Sequence, residues 1–93
     1  HLEMNVNQAT ELFISTDSRK TIFDVGLHKG EDTEYYLSRG FRVVAIEADP
    51  DLVSFCQDKY RKYIESGDLV IIHGALVAGE NEKYVKFYKN KKK

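Results

Sequence analysis

The 93-residue sequence predicts an α/β fold on three observations. Apolar, β-rich runs recur at 21–26, 42–48 and 69–73. Stretches patterned like helices of about ten residues fill the two intervals between them. Glycine or an Asp-Pro pair stands at the changes from strand to helix and back. Strands that alternate with helices lie parallel, because each helix must cross over the sheet before the next strand begins.

Each element has its own reason. His1-Leu2-Glu3 ahead of Met4 reads as an expression-tag remnant, which leaves 4–93 as a single domain. From Asn5 to Ser15, Val6, Ala9, Leu12 and Phe13 keep helical spacing, so a short amphipathic helix is expected. Residues 16–20, TDSRK, are a polar break. Residues 21–26, TIFDVG, form the first strand, and 31–39, EDTEYYLSR, a helix with acids in its first turn and Gly40 as its stop. Residues 42–48, RVVAIEA, read as a strand covered on both faces. Asp49 caps a helix with Pro50 in its first position; Leu52, Val53, Phe55, Cys56, Tyr60, Tyr63 and Ile64 follow at helical intervals to Gly67. Residues 69–73, LVIIH, are a third strand. The following GALVAGENE reads as a loop, and 83–88, KYVKFY, alternates as an edge strand does. The sum is a partial Rossmann-like three-layer sandwich: parallel strands with crossover helices plus a C-terminal edge strand.

Composition narrows the function. The chain is 42% apolar and 31% charged, with 14 basic against 15 acidic residues. Such a balance creates no field that gathers nucleic acid or an anionic membrane, and the basic tail KNKKK has no aromatic platform interleaved with it. No stretch approaches the roughly 20 apolar residues of a membrane helix. A single cysteine, Cys56, excludes an internal disulfide framework and fits a reducing compartment, so a cytoplasmic location is expected. No Cys/His cluster has zinc spacing, and His73 reads as a structural histidine.

The stretch TIFDVGLHKGEDT, residues 21–33, carries the chemistry. In a doubly wound sheet the first strand ends at the ligand crevice and turns into a helix whose free N–H groups face that crevice. Gly26 and Gly30 permit the turn and a close backbone approach. The spacing G-x-x-x-G is neither the dinucleotide fingerprint nor the phosphate-cradling loop, and Asp24, Glu31 and Asp32 would repel a pyrophosphate. They suit a ligand with a cationic group. Glu47, 21 residues beyond Gly26 at the end of the second strand, is placed to accept hydrogen bonds from both hydroxyls of a ribose. An adenosine without phosphate and with a cationic amino-acid end is S-adenosylmethionine.

IFDVGLHKGEDT followed by FRVVAIEADP resembles the first two motifs of class I S-adenosylmethionine-dependent methyltransferases, and in detail the FkbM family. There, a D-V-G-x-x-x-G-x-x-T loop precedes a V-V-A-x-E-x-x-P strand end. Residues 69–88 are similar to that family's third strand, loop and following strand, so the resemblance spans about 20–88. It implies Asp24, Gly26 and Gly30 around the methionine end of the cofactor, with His28 donating to its carboxylate where the family often has asparagine. It implies Glu47 on the ribose, Ala48 against the adenine, and Gly74 or Ala75 near its far edge. The implied activity is O-methyl transfer by a parent protein of which 4–93 is a truncated cofactor-binding domain. The strand carrying the acidic acceptor-side motif does not follow residue 88, so this chain alone is expected to be inactive.

Two alternatives stand beside that reading. A Rossmann-like binding or oligomerisation module would bind no cofactor and would use its open sheet edge. Under either reading truncation leaves TIFDV an apolar unpaired edge, so a homo-oligomer through it is expected, or else KYVKFY folds back beside it. A nicotinamide dehydrogenase is disfavoured by the missing third glycine. The readings differ at Glu47, whose truncation should abolish binding of S-adenosylhomocysteine or its methylated parent and leave the fold intact.

Overall fold

The computed structural model describes residues 2–5, 8 and 20–88. The elements are β1 (Leu2–Asn5), β2 (Thr21–Val25), α1 (Glu31–Ser38), β3 (Arg42–Glu47), α2 (Pro50–Lys59), α3 (Arg61–Glu65), β4 (Leu69–Ala78) and β5 (Lys83–Phe87). The strands form one sheet in the order β1-β5-β4-β3-β2. β2, β3 and β4 run parallel, with Thr21 opposite Arg42 and Val43 opposite Leu69. The α/β alternation is therefore as expected. β5 returns antiparallel along β4, and β1 lies antiparallel along β5.

β3 organises the core because its residues are apolar on both faces. Val43 and Ala45 pack with Leu37 of α1, Cys56 of α2, Tyr60 and Leu69. Val44 and Ile46 lie in a second cluster with Ile72 and Val85. Each such fully buried aliphatic side chain contributes about 1.5–3 kcal/mol relative to exposure. The described helices contribute to the first cluster only, and a second helical layer is not among the described residues.

Helix ends follow their chemistry. The Asp49 carboxylate accepts the Asp51 N–H at 2.8 Å, and Pro50 occupies the first position. α1 closes with Gly40 at φ 85°, its N–H donating to the Leu37 carbonyl and that of Phe41 to Tyr36. α3 repeats this pair of bonds at Gly67 and Asp68. Both are Schellman closures, which need a left-handed residue just past the helix.

Four expectations are corrected. GALVAGENE is a loop only in its second part, 79–82: Gly74–Ala78 continue β4, because β5 supplies a ladder from Gly74 opposite Phe87 to Ala78 opposite Lys83. Gly74 suits that ladder, since a Cβ there would collide with the Lys86 carbonyl. β5 is not an edge strand, being paired on both sides by β4 and β1. It does not fold back beside TIFDV, which pairs with β3 alone among the described strands. The stretch 50–66 is not one helix, because the backbone turns at Tyr60 (φ −110°, ψ 26°) between α2 and α3.

At the start of the chain the sheet gains a strand that the sequence pattern did not reveal. Leu2 and Glu3, set aside as a tag remnant, pair with Phe87 and Lys86. Asn5 ends β1 and exchanges bonds with Gln8: each side-chain oxygen accepts the other's backbone N–H, at 3.1 and 2.8 Å. That reciprocal arrangement has the pattern of a capping box. The body of the helix expected over 5–15 otherwise lies outside the described residues. No helix among them is long and apolar enough to cross a membrane.

Candidate functional site

The loop from β2 to α1 lies at the carboxyl ends of β2 and β3. Gly26 donates its N–H to the Ile46 carbonyl at 2.8 Å, which ties the loop to the end of β3. Its φ of 82° is left-handed, and an added Cβ would find only ordinary contact, so the turn itself requires glycine there. His28 is also left-handed at φ 51°, the one non-glycine residue so placed among the described residues. Histidine and asparagine both tolerate this region better than most residues.

Glu47 is 8% exposed and ends β3. Its Oε1 accepts the His28 N–H at 3.2 Å and its Oε2 accepts the Asp49 N–H at 2.9 Å. One carboxylate therefore ties the glycine loop to the start of α2. An ionised carboxylate offers about four acceptor positions, so two remain. Truncating Glu47 would take the acceptor from two backbone donors, a cost to stability that its strand-end position alone does not reveal.

Asp24 interrupts the apolar β2 and is half-buried, and the buried Thr33 hydroxyl donates to its Oδ2 at 2.6 Å. This bond joins the last turn of the strand to the first turn of α1. Glu31, Asp32 and Glu34 supply further negative charge in that turn.

Across the sheet, His73 stands opposite Glu47. Its Nε2 lies 3.0 Å from the Ala48 carbonyl, and a carbonyl can only accept, so the proton resides on Nε2. Its ring meets Tyr88 edge to face at 5.3 Å, and its buried Nδ1 has no hydrogen-bond partner among the described residues. His73 is thus structural at one nitrogen only.

Asp24, Gly26, His28, Gly30, Glu47 and Ala48 are gathered at this end of the sheet. Ala75 lies two residues beyond the Glu47–His73 rung, paired with Lys86, and Gly74 is closed in against β5. Gly74 and Ala75, expected beside a ligand in a loop, are therefore on a strand. A cavity of about 430 Å³ lies elsewhere, on the outer side of α2 and α3 beside Ser54, Gln57, Asp58, Arg61 and Ile64. No cluster of histidine, cysteine and carboxylate among the described residues is arranged to hold a metal ion.

Three residues of this region were missed by sequence reasoning. Thr33 carried the only visible signal, as the threonine that closes the D-V-G-x-x-x-G-x-x-T pattern, to which no role was assigned. Cys56 donates through Sγ to the His28 carbonyl at 3.5 Å, and burial pushes its thiol up from the ordinary value. Tyr60 reaches the loop with its hydroxyl, 3.2 Å from the Gly30 carbonyl oxygen. In sequence both read only as core positions of a helix. No family model, curated protein or solved structure matches the chain.

Proposed function

We propose that the carboxyl ends of β2 and β3 bind S-adenosylmethionine, as in the cofactor-binding part of an O-methyltransferase. The observation that carries this reading is the Glu47 carboxylate: it is nearly buried, held in place by the loop it faces, and has acceptor positions left for a vicinal diol. The strand order β4-β3-β2 supports it, since one half of a doubly wound sheet has that order and its ligand lies at the carboxyl ends of the strands. The acidic surroundings, Asp24, Glu31 and Asp32, favour a cationic ligand and disfavour a pyrophosphate. When bound, such a cofactor supplies an electrophilic methyl group. The residues of this chain would hold its ribose and its amino-acid end.

The test is calorimetric titration with S-adenosylhomocysteine, with NAD as control. Micromolar affinity, about 8 kcal/mol, for the first ligand alone is the expected result. No heat with either removes the cofactor reading.

One observation favours a second reading, a non-catalytic Rossmann-like module that self-associates. β2 ends the sheet order, and its Val25 is 51% exposed beside an unpaired backbone edge among the described strands. Light scattering decides it. A dimer that binds no nucleoside is expected from the module, and a monomer with rapidly exchanging Ile22 and Phe23 amides excludes it.

A further inference from the structure

The loop that faces Glu47 is gripped from its other side by α2 and the residue that follows it. Cys56 and Tyr60 stand one helical turn apart. The Cys56 thiol meets the His28 carbonyl at 3.5 Å. The Tyr60 hydroxyl lies 3.5 Å from the Lys29 carbonyl oxygen, 3.2 Å from that of Gly30 and 3.0 Å from Glu34 Oε2. Three consecutive carbonyls are thus turned toward α2. In a trans peptide the C=O and N–H point in opposite directions, and the described chain has no cis peptide. The N–H groups of Lys29 and Glu31 therefore point away from α2.

The ring of Tyr60 completes the fit. Gly30 sits at φ 89°, and a Cβ on it would lie 2.5 Å from Tyr60 Cε2. The missing side chain of Gly30 is the space that Tyr60, 4% exposed, occupies. Burial pushes the phenol up from its ordinary value, in the direction that favours the donating form.

We propose that Tyr60 is a positioning residue of this site: its single hydroxyl proton is shared between Glu34 Oε2 and the Gly30 carbonyl, which also accepts the Glu34 N–H at 2.8 Å, and this anchors the carbonyl side of the loop so that it offers N–H groups rather than carbonyls to a ligand. The proposal rests on the cofactor reading above for its ligand, and on the unliganded loop for its geometry. Tyr60→Phe is the informative variant, because it keeps the ring in the Gly30 notch and removes only the hydroxyl.

The experiment pairs titration with S-adenosylhomocysteine and amide exchange of the unliganded chain. In Tyr60→Phe the dissociation constant should rise about tenfold. Exchange at Gly30 and Glu34 should rise at least tenfold relative to Val44, whose amide reports global opening, so general loss of stability is separated from a loop effect. If the unaltered chain binds and Tyr60→Phe binds equally well, the proposal is overturned. If the unaltered chain does not bind, the cofactor reading fails, and the exchange ratio alone decides Tyr60: a selective rise at the loop supports positioning, and an unchanged ratio overturns it.

Discussion

Gly30 and Gly40 have nearly the same backbone conformation, at φ 89° and 85°, in different surroundings. A Cβ on Gly40 meets nothing within 4 Å, whereas one on Gly30 meets the Tyr60 ring at 2.5–3.0 Å. Gly40→Ala should therefore cost only the left-handed strain of an L-residue, about 1–2 kcal/mol. Gly30→Ala bears that strain plus overpacking against a buried ring, about 1–3 kcal/mol more. A 93-residue domain has about 5–14 kcal/mol of stability, so both variants should still fold. Urea unfolding measures both costs, and each kcal/mol also moves the melting temperature by about 4–8 °C at this size. In a Tyr60→Leu background the added term should shrink, and Gly30→Ala should then cost about what Gly40→Ala costs. Equal costs for the two glycines with Tyr60 in place would refute the interlock.

Further expectations rest on single contacts. Glu47→Ala leaves the His28 and Asp49 N–H groups without their acceptor. At about 1–3 kcal/mol for each donor left unsatisfied, the two bound the loss at about 2–6 kcal/mol by denaturant unfolding; the lower end is expected because both residues are exposed, with faster exchange at both amides. Thr33→Val keeps the shape and removes the donor to Asp24, for about 1.5–3 kcal/mol as a bond to a charged acceptor. Asp24→Asn should add little once Thr33 is Val, as a double-mutant cycle would detect. The raised thiol of Cys56 binds its proton more tightly in the folded chain than in the unfolded one. Its contribution is therefore whole below the ordinary thiol value of 9.0 and lost as pH rises beyond it. Stability measured from pH 7 to 10 should fall less steeply in Cys56→Ala, and a thiol reagent should label native Cys56 only as fast as the chain opens.

The parts of the fold that depend on neighbours in sequence were legible. Val43–Ile46 are apolar at successive positions, and Asp49-Pro50, Gly40 and Gly67 are local stop and start signals that act the same way in any context. The rest depends on a partner far along the chain. Gly74–Ala78 has neither strict alternation nor β-branched density, and becomes a strand because β5 presents a ladder to it. Leu2–Asn5 is too short to read as a strand without knowing that β5 lies beside it. At the site, the glycines and Glu47 were legible by spacing, but their satisfaction was not. That the Glu47 carboxylate binds loop amides, and that Asp24 has Thr33, depends on side-chain directions that spacing does not encode. His28 gave no sign of its left-handed backbone, because that conformation follows from the turn and from the acceptor held against its N–H.

β4 changes company halfway along its length: its first five residues have a parallel neighbour in β3, and its last five have an antiparallel one in β5. These pairings differ in how far along the chain each contact must search. The β4–β5 hairpin closes over a few residues, and β2, β3 and β4 meet across one helical crossover at a time. β1 reaches β5 with almost the entire sequence in between, Asn5 meeting Tyr84. Loop-closure entropy grows with that separation, and the rate of forming a contact falls with it. The β1–β5 seam is then a late event in assembly. Changes there should quicken unfolding while leaving the folding rate nearly untouched, so that this seam acts as a kinetic latch on a sheet already built around β3.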